Sequence, residues 1–259
     1  MSFRKLNNKE ENKMGIEQTI SKLNEMKLTG MSQAYQERRI KPDHKDLSFD
    51  EFFELVVDDE HLYRKNKRLK RLLKRSRLKI SAASLEEIDY RQQRGLLKTN
   101  VVNLQNTSWL ENHMNILITG PTGVGKTYLA CAFGNWACRN GFTAAYFRWP
   151  RLFGDMLASR GEGGYLKHLR RLEKVDLLII DDFGLNALSD TDRKDFLEIV
   201  EDRYMAGSTI IAGQLPIKDW HEFIGDPTIA DAVMDRLLHV SYKFEMKGGS
   251  MRKKQKDIE

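Results

Sequence analysis

The sequence has little that would suit a secreted or membrane protein. Of its 259 residues two are cysteine, Cys131 and Cys138, seven positions apart in a segment of helical periodicity. Seven helical steps set their Cα atoms roughly 10 Å apart, beyond the reach of a disulfide. They read as small buried hydrophobes of a cytoplasmic protein. Six histidines are scattered without metal-ligand spacing, which argues against a zinc site; His113 and His239 read as surface or loop positions. No apolar run approaches the roughly 18 residues of a membrane span. The opening MSFRKLNNKEENKMG is polar, so no secretory signal is expected. The first amphipathic pattern starts at Met14, and residues 1–13 are expected to be a disordered lead-in. There is no internal repeat and no low-complexity tract.

Acid is missing from one stretch in particular. Net charge is +6, and residues 64–79, RKNKRLKRLLKRSRLK, hold ten Lys or Arg without an Asp or Glu. A charge run is usually a solvated face. Uncompensated neighbours on a helix, however, repel by several tenths of a kcal/mol per close pair, which favours a polyanionic partner. A phosphate backbone offsets that cost through counterion release, with strong salt dependence and little sequence preference. Arg64, Lys67, Arg71, Lys74 and Arg75 lie three or four apart, with Arg68 among them, so several share a helical face. These six are the candidate DNA contacts. A second candidate is RGEGGYLKHLRRLEK, residues 160–174, with Arg160, Lys167, Arg170 and Arg171.

Residues 16–36 predict a short helix or helix pair broken near Gly30. In SFDEFFELVVDDEHLYRKNKRLKRLLKRSR, Ser48 and Glu51 form a capping box. Phe52, Leu55, Val56, Leu62, Tyr63, Leu69 and Leu73 then follow helical periodicity. Residues 1–79 therefore read as a small all-α N-terminal domain for DNA binding and assembly, and 80–259 as a second domain opened by the polar connector SAASLEEIDYRQQRG. Beyond the connector, apolar runs alternate with helical patterns. Strands are expected at 115–119, 142–147, 175–180, 208–212 and 239–246. Helices are expected at 126–139 and 190–205 and within 150–173 and 217–238. Five strands with intervening helices imply an α/β fold, a parallel sheet covered on both faces.

NILITGPTGVGKTYLA, residues 115–130, carries the chemistry. Gly120, Pro121, Thr122, Gly123, Val124, Gly125, Lys126 and Thr127 match G-x-x-x-x-G-K-[ST], with a strand before and a helix after. Glycines let backbone N–H groups turn toward phosphate oxygens, helped by the positive end of the next helix. Lys126 should reach the β- and γ-phosphates of ATP, and Thr127 should hold Mg²⁺. VDLLIIDDFG, residues 175–184, supplies two acids where a buried strand emerges: Asp181 to hold Mg²⁺ through water and Asp182 to polarise the attacking water. Gln214, ending the strand in STIIAGQLP, is placed to sense the γ-phosphate or orient water. Arg236, in IADAVMDRLLH, is placed to neutralise charge on the γ-phosphate of a neighbouring subunit. Phe147, Arg148 and Trp149 invite a base-stacking role, but the two aromatics read as strand-end core residues.

With these residues in hand, the chain resembles the AAA+ ATPases of the helicase-loader branch. Within it the chain is most similar to the IstB-like helpers of insertion-sequence transposition, from about residue 14 to 255. Walker A and Walker B are general to the superfamily. STIIAGQLP, DAVMDRLLH, KGGSMRKK and the helical FDEFFELVVDDEHLYRKNKRLKRLLKRSRL discriminate better. The resemblance implies an arginine finger at Arg236, a sensor at Gln214 and a nucleotide-sensing arginine at Arg252. It further implies ATP hydrolysis, self-assembly on duplex DNA, and a cognate transposase that the assembly recruits and stimulates. A replicative helicase loader of the DnaC/DnaI type shares every core motif and remains the alternative; a P-loop kinase and a DNA-packaging protein are more distant ones. Two departures stand out. Asp182 occupies the position where the wider AAA+ pattern carries Glu, about one methylene longer, which implies slow hydrolysis. Some 13 residues follow the last expected strand, so no full helical lid is expected.

Overall fold

The computed structural model describes residues 2–40, 47–91 and 94–251, with side chains from residue 14 onward. The chain divides into two compact units, Met1–Lys70 and Arg71–Glu259. The first unit holds α1 (Ser2–Glu25), α2 (Thr29–Ile40) and most of α3 (Phe49–Ser76), whose last residues belong to the second. The expected lead-in is corrected, since α1 takes up residues from Ser2 onward.

A helix pair forms within 16–36 as the periodicity indicates, but it breaks ahead of Gly30. Lys27 turns the chain with φ 59°, and the Leu28 N–H closes back on Leu23 O at 2.8 Å. Gly30 is instead inside α2, where a Cβ would sit 2.7 Å from Tyr63 Cβ and 2.8 Å from Glu60 Cα. Its role is therefore close helix approach. Glu60 is almost fully buried at that crossing; it accepts from the Met31 N–H at 3.0 Å and from Arg64 Nε at 2.6 Å. Burial pushes its carboxyl up, but Arg64 and the N–H groups of Met31 and Gly30 outweigh that and hold it below the usual range. A carboxylate of α3 thus caps the first turn of α2. Arg38 adds an ion pair to Asp59 at 2.7 Å. At the start of α3 the capping box is formed: the Glu51 N–H donates to Ser48 Oγ at 3.3 Å, and the Ser48 N–H to Glu51 Oε2 at 2.8 Å.

In the second unit the five strands appear where the apolar runs stand: β1 (Asn115–Thr119), β2 (Ala144–Arg148), β3 (Leu177–Phe183), β4 (Ser208–Gly213) and β5 (Ser241–Glu245). They form one parallel sheet in the order β2-β3-β4-β1-β5. Two short helices that the sequence pattern does not announce, α4 (Lys98–Val102) and α5 (Ser108–Glu111), precede β1. The crossovers are α6 (Lys126–Arg139), α7 (Trp149–Gly161) with α8 (Tyr165–Glu173), α9 (Asp190–Arg203), and α10 (Trp220–Ile224) with α11 (Pro227–Leu238).

Alternation along the strands covers both faces. Leu178 and Ile180 pack with Trp149, Phe153, Phe196 and Trp220 from the helices on one side. Ile179 meets α6 on the other, where Gly134 admits it: a Cβ there would lie 2.7 Å from Ile179 Cδ1 and from Leu78 Cδ2. Arg203, fully buried, ties the N-terminal edge of the sheet together. It donates to the carbonyls of Leu172 at 2.5 Å, Val175 at 2.9 Å and Ser208 at 2.5 Å.

Candidate functional site

The loop from Gly120 to Gly125 leaves β1 at its C-terminal end and enters α6. Gly120, Gly123 and Gly125 take φ of 143°, 82° and 107°, a region that side chains resist. A side chain is doubly excluded at Gly120, where a Cβ would lie 2.2 Å from Met246 O. The turn so formed puts the N-terminus of a 14-residue helix behind the loop, an anion-binding arrangement. The Lys126 ammonium donates to Gly120 O at 2.8 Å and Pro121 O at 2.9 Å, folded along the loop it serves.

The sheet order brings the acids to this loop. With β4 between β1 and β3, the ends of three adjacent strands converge. Asp181 is buried, and its Oδ2 accepts from Thr127 Oγ1 at 2.8 Å and from the Tyr146 hydroxyl at 2.7 Å. In a regular strand Asp182 would point to the opposite face. Instead the pairing of β3 with β4 slips between Ile180 and Phe183, and Asp182 adopts φ 61°. This bulge turns Asp182 into the same cleft. Its Oδ2 accepts from Arg148 Nε at 2.7 Å. Gln214, at the end of β4, accepts from Thr122 Oγ1 at 2.7 Å, so it faces the P-loop directly.

Thr122, Lys126, Thr127, Asp182 and Gln214 line a cleft of about 1130 Å³, and Asp181 reaches it through its bond to Thr127. Its other wall was not legible as a site in the sequence. Ile80, Ile88, Leu96, Tyr128 and Met246 give an apolar surface suited to a base, with Arg94 beside it. After β5 the chain returns across the loop: the Met246 N–H donates to Thr119 O at 2.7 Å and the Met251 N–H to Gly123 O at 2.9 Å. Arg252 lies outside the described residues.

Thr127 and Asp181 offer one hydroxyl and one carboxylate in hydrogen-bond contact. That is an all-oxygen pair of the kind magnesium uses when phosphate and water complete its shell. Among the described residues no cluster of three or more His, Cys, Asp or Glu is assembled for a metal. Tyr146 and Arg148 are site residues that the motifs do not reveal. Their signal is register, because Arg148 on the edge strand pairs with Asp181 across β3.

Arg236 is not part of this cleft. The Asn115 side-chain amide donates to Arg236 O at 3.4 Å, and Asn115 is the first residue of β1 while the P-loop follows the last. Five residues of strand, roughly 16 Å, separate those levels. Arg236 lines a cavity of about 320 Å³ with Tyr204, Met205 and His239, its guanidinium paired to Glu201 Oε1 at 2.6 Å and donating to Ala232 O at 2.9 Å.

The basic residues are on the surface. In α3, Arg64, Lys67, Arg68, Arg71, Lys74 and Arg75 are all exposed. Arg64 also pairs with Glu60. Lys167 and Arg170 are exposed on α8. Arg160 is engaged inside its own unit, paired with buried Asp195 and stacked 3.6 Å from the Tyr165 ring centroid.

A strand–P-loop–helix unit facing two acids on a strand one place removed defines a P-loop ATP-binding protein of the AAA+ kind. Solved structures agree with that fold. DnaI matches with a TM-score of 0.54 at 21% identity, covering 68% of this chain and 93% of that one. The DnaC helicase loader matches with a TM-score of 0.50 at 20% identity, covering 64% and 97%. Residues 21–258 match the family described as IstB-like ATP binding protein. An insertion-sequence ATP-binding protein of Sinorhizobium fredii is 43% identical over 92% of this chain and 97% of its own length. An IS1162 ATP-binding protein of Pseudomonas fluorescens is 43% identical over 78% and 88%. The chain belongs to the IstB-like ATP-binding proteins. Among the described residues no helix is long and apolar enough to cross a membrane.

Proposed function

We propose that the protein is an ATPase that assembles on duplex DNA through nucleotide held between copies, and that the assembly recruits and stimulates a partner transposase. One observation carries this reading: within a single chain Arg236 sits at the edge of the sheet opposite the P-loop, joined to Asn115. A cation so placed serves a neighbour's triphosphate rather than its own. The relatives named for insertion sequences support the transposition setting.

In the chemistry proposed, the N–H groups of Gly123 to Thr127 and the Lys126 ammonium hold the phosphates. Thr127 and Asp181 hold Mg²⁺, which when bound neutralises phosphate charge. Tyr146 fixes the rotamer of Asp181 through the 2.7 Å bond to its Oδ2. Asp182 orients the attacking water once Arg148 yields its carboxylate, and Gln214 reads the terminal phosphate from the end of β4. Arg236 of the adjoining copy exchanges Glu201 for the γ-phosphate and offsets the charge that grows there during cleavage. Exposed α3 cations from successive copies contact the DNA backbone, with Lys167 and Arg170 of α8 as a second surface. Arg160 is left out of that surface because its guanidinium is held by Asp195.

The test is sizing and microscopy with a non-hydrolysable ATP analogue and duplex DNA. Large assemblies that need both are expected. A monomer under all conditions overturns the reading. Assembly on single strands together with a hexameric helicase would favour the loader alternative, to which the DnaI and DnaC fold likeness gives its weight.

A further inference from the structure

Arg94 lies in the connector, outside every motif. Yet it is 9% exposed and lines the nucleotide cleft. Its Nη1 donates to Val124 O in the P-loop at 3.1 Å, and its Nη2 to Asp89 O at 2.5 Å. Its Nε is buried and has no hydrogen-bond partner among the described residues. The nearby Asp89 carboxylate is taken by Arg91, with Oδ1 3.0 Å from Arg91 Nε, and no other acid pairs with Arg94 among the described residues.

A buried cation is costly unless an opposite charge or a full set of acceptors compensates it. Here the guanidinium has two carbonyls and an unused N–H. It stands against the loop that takes phosphate, since a Cβ on Gly125 would lie 2.9 Å from Arg94 Nη1. Asp89, already engaged by Arg91, feels the Arg94 charge without pairing to it directly, and a nucleotide brings the direct counter-charge. We propose that Arg94 is a nucleotide-binding residue, its guanidinium supplying charge-assisted hydrogen bonds to the phosphate chain of ADP or ATP from the connector side of the cleft. This rests on the P-loop reading of the site and adds a second basic residue to Lys126. It also gives the connector a function. The Lys247 N–H donates to Arg94 O at 2.7 Å, so Arg94 links the strand leaving β5, the connector and the P-loop. Nucleotide binding should tighten all three together.

The experiment compares Arg94→Met, Arg94→Lys and Lys126→Ala with the full-length wild type, using calorimetric ADP titration and melting with and without ADP. For Arg94→Met, ADP affinity should fall on the order of ten- to hundredfold. Melting of the nucleotide-free protein should hold or rise, because a buried charge without a direct ion pair is gone, while the ADP-induced shift shrinks. Arg94→Lys should be intermediate. Wild-type ADP affinity in Arg94→Met overturns the proposal. So does a nucleotide-free protein that fails to fold with Met but regains both stability and full ADP affinity with Lys, the behaviour of a structural prop. If Lys126→Ala also binds ADP normally, the P-loop reading fails instead.

Discussion

Asp181 and Asp182 are adjacent yet differently held, and one backbone torsion separates them. The φ of 61° at Asp182 makes the bulge that turns its carboxylate into the cleft, while Asp181 stays buried behind Thr127. Asp181 is held by Thr127 and Tyr146, whereas the Asp182 carboxylate is held, among the described residues, by Arg148 alone and is partly exposed. Asp182→Asn should therefore leave ADP affinity near wild type and cut ATP turnover by on the order of a hundredfold or more, as removal of a general base does. Parallel titration and phosphate release would check this, and undiminished turnover would remove Asp182 from the chemistry. The two cysteines give a separate residue-scale test. Burial pushes both thiols up to about 11 from an ordinary value of 9.0. A raised thiol keeps its proton in the fold, so its contribution to stability is complete below about pH 9 and is lost as pH rises toward 11. At neutral pH Cys131 and Cys138 should resist thiol reagents until the protein unfolds; rapid labelling of the native protein would contradict the burial.

At the scale of elements, α3 matters most. Its first half is built into a helical unit by Gly30, Glu60 and the Arg38–Asp59 pair, while its second half carries cations on the surface. If that half lies along a phosphate backbone, replacing Arg71, Lys74 and Arg75 with Ala should weaken duplex binding for all sequences alike. The slope of log affinity against log salt should become shallower by about 0.9 for each phosphate no longer neutralised. Fluorescence anisotropy over a salt series measures it, and an unchanged slope would clear α3. The strands and α6 were legible because buried parallel strands are short apolar runs and because the P-loop marks one junction. The helix break at Lys27 was not, since Gly30 reads as punctuation locally and proves to be a packing contact that only the partner helix explains. Likewise the slip at Asp182 leaves no trace in periodicity, and β2 runs one residue beyond its expected end, which hid Arg148 and its pairing.

At the scale of the whole molecule, the P-loop groups were readable as a motif and are brought together by the sheet order, down to Gln214 facing Thr122. The connector wall and Arg94 were not readable. Ile88, Arg94 and their neighbours come from a polar, irregular segment organised by contact with α6 and the loop it covers, while Tyr128 and Met246 join the wall from α6 and from beyond β5. In the function proposed, Arg236 turns a nucleotide site into a device for assembly, because it stands at the end of the strands opposite its own P-loop and is held there by Glu201. That geometry is the central claim, and mixing two inactive variants tests it most directly. Lys126→Ala and Arg236→Ala should each lack DNA-stimulated ATPase activity. In an equal mixture, random assembly joins an intact P-loop from one chain to an intact arginine from the other at about a quarter of joints. Activity is predicted to return to about that fraction of wild type. A mixture that stays inactive, or an Arg236→Ala protein that hydrolyses ATP at the wild-type rate, would contradict the shared site.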